Sequence, residues 1–121
     1  MTAKEELKRI RSLEDKIRTI RQKVEGLSGI DYARDRVQTS PGDSLADQLS
    51  DLAELEREYK RELVRILRKI DRMPREEHAA ILRARYVRGE KWEQIAARMH
   101  YSAETVEKYH RIALKEYAKI N

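Results

Sequence analysis

Apolar residues recur at Leu7, Ile10, Leu13, Ile17, Ile20, Val24 and Leu27, in steps of three and four. This is the rhythm of one helical face and not the alternation of a strand. Lys8, Arg9, Arg11, Glu14, Asp15, Lys16, Arg18, Arg21 and Lys23 fall between them and form a solvated face. Thr2 with Glu5 reads as a capping box, and Gly26 and Gly29 mark an end. The pattern predicts a helix over 3–27, about 37 Å long at 1.5 Å per residue. A second strip runs through Leu45, Leu49, Leu52, Leu55, Tyr59, Leu63, Ile66, Ile70 and Met73. Ser44 with Asp47 is a capping-box-like start, and the pattern predicts a helix over 44–72, about 43 Å long. Acids lead this helix (Asp47, Asp51, Glu54, Glu56) and bases close it (Arg65, Arg68, Lys69, Arg72), an order that complements the helix dipole.

Residues 28–42 have no period and end in Ser40-Pro41-Gly42. Two helices of similar length joined in this way predict a long antiparallel, coiled-coil-like hairpin over 1–73. Neither strip can be buried alone, and a two-helix core is thin, so a homo-oligomer formed through these helices is expected.

Met73-Pro74 breaks the second helix. Pro74 fits the first position of a new helix over 74–87, with Glu76 and Glu77 in its first turn. Arg88-Gly89-Glu90-Lys91 reads as a turn. The segment from Trp92 to Tyr109 then has the register of a helix-turn-helix. Ala96 is the small residue where the helices cross, flanked by Ile95 and Met99. Tyr101 sits in the turn, Ser102 is an N-cap, and Val106 and Tyr109 face inward on a second helix over 103–119. His100 stands at the turn position where Gly is common. In this motif the outer residues of the second helix enter the major groove, here Ala103, Glu104, Thr105, Glu107, Lys108, Arg111 and Lys115, while basic residues farther along hold phosphates. The fold class expected is all-α, with a hairpin over 1–73 followed by a small helix-turn-helix domain over 74–121.

Composition and charge narrow the function. The chain has 121 residues, four Gly, two Pro, no Cys and a net charge of +5. The absence of Cys excludes disulfides, a thiol nucleophile and a Cys-based zinc site. His78, His100 and His110 have no metal-ligand spacing, so neither a metal nor a cofactor is expected. No phosphate loop, catalytic triad context or H-E-x-x-H is present, so an enzyme is not expected. No apolar run approaches the ~18 residues of a membrane span, and a cytoplasmic protein is expected. Net charge is +3 over 1–42, −1 over 43–73 and +3 over 74–121. Most of it therefore solvates helices, and a basic subset around the second helix of the motif is the candidate DNA footprint.

Residues 75–118 resemble the fourth conserved region of bacterial sigma factors, which reads the promoter −35 element. The matching stretches are Ile81-Leu82-Arg83-Ala84-Arg85-Tyr86, Trp92-Glu93-Gln94-Ile95-Ala96, Ser102-Ala103-Glu104-Thr105-Val106 and Ala113-Leu114. The whole chain resembles phage-encoded proteins related to the ArpU and RinA late-transcription regulators, including a linker like Val37-Gln38-Thr39-Ser40-Pro41. The resemblance implies that Glu104 stands at a base-reading position, where a carboxylate accepts from cytosine N4. It implies that Lys108 is a polar contact and that Arg85, Lys91 and Trp92 lie beside phosphates. Ala103, Thr105 and Glu107 stand where sigma factors commonly carry Arg, which implies a different target or a lower affinity.

The candidate DNA-binding residues are therefore Arg85, Lys91, Trp92, Ser102, Ala103, Glu104, Thr105, Lys108, Arg111 and Lys115. The expected function is sequence-specific binding of double-stranded DNA to regulate late phage genes in a bacterial host, with RNA polymerase as a further partner. Two alternatives stand beside it. One is a small terminase-type DNA-packaging subunit, which a ring of about eight to twelve subunits would favour. The other is a protein–protein adaptor whose helix-turn-helix no longer binds DNA, which Glu104 and Glu107 would favour.

Overall fold

A computed structural model describes residues 1–27 and 44–120, and every regular element among them is helical. The linker-like Val37 to Pro41, together with Gly29, lies outside the described residues. Helix α1 spans Ala3–Leu27 and α2 spans Leu45–Asp71. Helix α3 spans Glu76–Leu82 and runs into a π-helical turn, Arg83–Val87. Helix α4 spans Trp92–Met99 and α5 spans Ala103–Ala118. None of the described helices is long and apolar enough to cross a membrane.

The starts of the long helices follow from their caps. Thr2 Oγ1 accepts from Glu5 N at 3.1 Å, and Ser44 Oγ accepts from Asp47 N at 3.1 Å. Each hydroxyl satisfies an amide that the first helical turn leaves without a partner. One expectation is corrected. Pro74 is not the first residue of α3, because Arg75 holds an extended conformation as its N-cap and the helix begins at Glu76. Proline holds Met73 away from helical geometry, and Arg75, extended at φ −119°, then serves as the N-cap.

The chain divides into two compact units that do not follow chain order. Met1–Arg11 and Arg61–Asn121 form the first, and Ser12–Lys60 forms the second. In the second unit Leu13 and Ile17 are the buried apolar residues among those described, with Gln48 also buried. Glu14 accepts from the Tyr59 hydroxyl at 2.9 Å, and Arg21 pairs with Glu56 at 3.6 Å. Numbers fall along one helix as they rise along the other, which is the order of an antiparallel pair.

In the first unit Leu7, Ile10, Ile66, Ile70, Ile81, Leu82, Ile95 and Tyr117 are fully buried. The roots of the long helices are stitched to α5 by a polar cluster. Glu6 accepts from Arg65, from the Tyr117 hydroxyl at 2.9 Å and from Lys69 Nζ at 3.5 Å. Lys69 also lies 4.3 Å from the centre of the Tyr117 ring. Burial pushes the Glu6 carboxyl up, but the Tyr117 hydrogen bond, Arg65 and Lys69 outweigh it and hold the group below its ordinary value. Burial and Glu6 push the Tyr117 hydroxyl far above its ordinary value, so it remains a donor.

Two further buried polar pairs close this core. His78 Nδ1 lies 2.6 Å from Glu116 Oε1, and His110 Nε2 lies 2.7 Å from the Tyr86 hydroxyl. Burial, with help from the charges of Lys4 and Arg85, pushes His110 down to about 4, so its ring is neutral at pH 7. The π-helical turn carries the Tyr86 end of this second pair. Arg88 N bonds to Arg83 O at 2.9 Å, an i to i+5 spacing. Gly89 follows with φ +72°, and a Cβ there would collide with the Arg11 guanidinium. The positive φ favours glycine, whereas the Arg11 guanidinium is the end of a flexible side chain and can move aside.

Candidate nucleic-acid interface

Helices α4 and α5 are joined by His100, Tyr101 and Ser102. His100 takes the left-handed conformation at φ 59°, and Tyr101 N bonds to Ala96 O at 3.0 Å. This six-to-one bond is the Schellman form of helix ending, which usually places Gly where His100 stands. Ser102 then caps α5, its Oγ accepting from Thr105 N at 3.1 Å and donating to Thr105 Oγ1 at 2.9 Å. Ile81, Ala84, Ile95 and Val106 form one buried cluster, and Trp92, Ala96, Met99, Tyr101 and Tyr109 pack against it. The rings of Tyr101 and Tyr109 meet edge to face with centroids 5.3 Å apart. Every residue assigned to the inside of the motif from its register is in this cluster.

Helix α5 has two opposed faces. Val106, His110, Ala113 and Tyr117 are buried, at a spacing of four, three and four. Lys108, Arg111 and Lys115 are exposed on the opposite side, at a spacing of three and four. They span about 10 Å of helix. None of the three holds an ion pair among the described residues. Glu104 lies one turn earlier on the same stripe and is also exposed, and Lys119 extends the stripe one turn further. Lys119 was not among the candidates, although the same step of four from Lys115 could have found it.

The other candidates divide by what they touch. Lys91, Ser102 and Ala103 are exposed, and Thr105 is half-buried beside the cap. Arg85 is turned inward, with its guanidinium 4.6 Å from the centre of the Trp92 ring and Nη1 donating to the Glu90 carbonyl at 3.1 Å. Trp92 is half-buried and meets His110 edge to face at 4.6 Å, so it anchors the core. Glu90 gathers two neighbouring bases, Arg98 at 2.6 Å and Arg88 at 3.0 Å. The Arg98 hydrogen bond, with that of Arg88, holds its carboxyl below the ordinary range.

Of the exposed candidates, Ser102, Ala103, Glu104, Lys108, Arg111 and Lys115 lie on α5 or its cap and Lys91 caps α4, whereas Arg85 and Trp92 pack against each other. No family model, curated protein or solved structure matches the chain.

Proposed function

We propose that the chain is a sequence-specific double-stranded DNA-binding regulator of phage gene transcription, acting in the cytoplasm of a bacterial host. Helix α5 lies in the major groove, and its exposed bases contact the phosphates that flank it. The observation that carries this reading is the cationic stripe of Lys108, Arg111 and Lys115. It stands opposite a buried face, and none of the three holds an ion pair among the described residues. Glu104, at the groove-entering end, accepts from cytosine N4. The long helices serve to pair copies of the chain or to hold RNA polymerase. The exposed Leu49, at 46 %, supports a partner for α2. The phage and regulator parts of the proposal rest on the resemblance of residues 75–118 to the sigma module and of the whole chain to the late regulators.

The test is footprinting on the genomic fragments selected by the protein, with affinity measured across salt concentrations. Each phosphate contact contributes about 0.9 to the slope of log affinity against log salt. Lys108→Ala and Arg111→Ala singly each flatten that slope by about one, and the double variant loses the footprint. An unchanged footprint overturns the assignment. The adaptor reading is favoured by Glu104 and Glu107, both exposed without partners on α5. Wild-type protein that binds no DNA at low salt would establish it in place of the regulator.

A further inference from the structure

Beside the stripe on α5 lies a cleft of about 410 Å³, within the size range of small-molecule sites. Trp92, Ala96 and Val106 give it an apolar wall. Glu93 and Glu107 line it without an ion pair among the described residues, and Lys4 is its one cation. The lining therefore carries two carboxylates against one ammonium. His110 also lines the cleft and is only 9 % exposed. Its Nε2 is taken by Tyr86. Every fully buried side-chain nitrogen or oxygen among the described residues has a partner, and His110 Nδ1 has none. That atom must therefore reach solvent, and the cleft is the space that His110 borders. A neutral imidazole in this position offers one hydrogen bond and does not repel a positive charge.

We propose that this cleft binds a small organic cation. An aromatic or aliphatic body lies against Trp92, Ala96 and Val106, and an ammonium or amidinium group is held by Glu93 and Glu107. His110 Nδ1 supplies a single polar contact to the body. A carboxylate ligand of the same shape meets two like charges and is rejected.

Trp92 is the sole tryptophan of the chain and lines the cleft, so its fluorescence is a probe of a ligand bound there. The full chain is titrated with phenethylammonium and, separately, with the anion phenylpropionate. The expected result is a saturable change with the cation and at least tenfold weaker binding of the anion. Glu93→Gln with Glu107→Gln weakens the cation at least tenfold. Ala103→Leu, at an exposed lining position where Leu is a good helix former, fills the cleft and weakens it to the same degree. Circular dichroism verifies that each variant remains helical. An absent or unsaturable response to the cation, equal affinity for the anion, or unaltered binding by the double variant overturns the proposal. None of these outcomes depends on DNA binding, so this site and the proposed function fail or stand separately.

Discussion

Fourteen of the sixteen buried apolar residues among those described belong to the first unit, and only Leu13 and Ile17 belong to the second. Both units are built from helices with the same three-and-four rhythm. The difference lies in what covers each strip. In the second unit two helices can screen only one side of each other, so Leu52, Leu55 and Tyr59 remain half-buried and Leu49 is exposed. In the first unit α3, α4, α5 and the roots of the long helices enclose a common interior, and polar side chains can be buried in it with partners. The Tyr86–His110 and His78–Glu116 pairs exist only there. The polar contacts of the second unit, such as Arg21–Glu56, join side chains 59 % and 35 % exposed, and such pairs contribute about 0–1 kcal/mol. Helical periodicity therefore sets which residues face a partner, while the number of partners sets how much that facing stabilises.

The sharpest test of this contrast is truncation on each side of it. Ile95→Ala removes a fully buried side chain from the first unit's cluster and should cost about 2–5 kcal/mol in urea unfolding. A cost under about 1 kcal/mol would mean that this interior is not close-packed.

The main acid effect above pH 4 is expected in the first unit, where the buried His110 lies. His110 titrates at about 4 when folded, against an ordinary value of 6.5. The unfolded chain takes up this proton more readily, so stability is complete above pH 6.5 and falls as pH drops towards 4. The shift corresponds to about 3 kcal/mol lost across that window. Urea midpoints between pH 7 and 4 measure the loss, and an NMR titration of the imidazole locates its source. A ring that titrates near 6.5 in the folded protein would break the link between burial and this pair.

A smaller effect is expected where the backbone leaves the π-helical turn. Gly89→Ala places a side chain at positive φ and against Arg11, and should destabilise by about 1–3 kcal/mol. A thermal melt reads this, and a neutral outcome would show that the Arg88–Lys91 turn relaxes freely. The smallest effect belongs to the second unit. Leu49→Ala should change monomer stability by under about 0.5 kcal/mol, yet weaken self-association if α2 is the pairing surface. Sedimentation at several concentrations separates the two.

Much of the architecture was legible residue by residue. The strip from Leu7 to Leu27 and the Thr2 hydroxyl gave α1 its bounds, because periodicity and capping are local properties. The inward positions of the segment from Trp92 to Tyr109 were legible for the same reason. Ile95, Ala96, Met99, Tyr101, Val106 and Tyr109 are spaced so that one geometry buries them all. The exposed part of the candidate site followed from that register, since residues opposite a buried face must meet solvent. Arg85 could not be read in this way. The resemblance implies that it lies beside phosphate, and only packing shows its guanidinium over the Trp92 ring.

By itself, then, the sequence determined the all-helical class of the described residues, the caps at Thr2, Ser44 and Ser102, the inward and outward faces of the helices, and the cationic stripe on α5. These depend on spacing, which a linear chain carries in full. Only the tertiary structure decided that residues 1–11 and 61–73 belong with the C-terminal helices, that Glu6 bonds to Tyr117 across 111 positions of sequence, and that His110 is neutral beside an open cleft. These depend on which surfaces meet, and no local pattern records the identity of a distant partner.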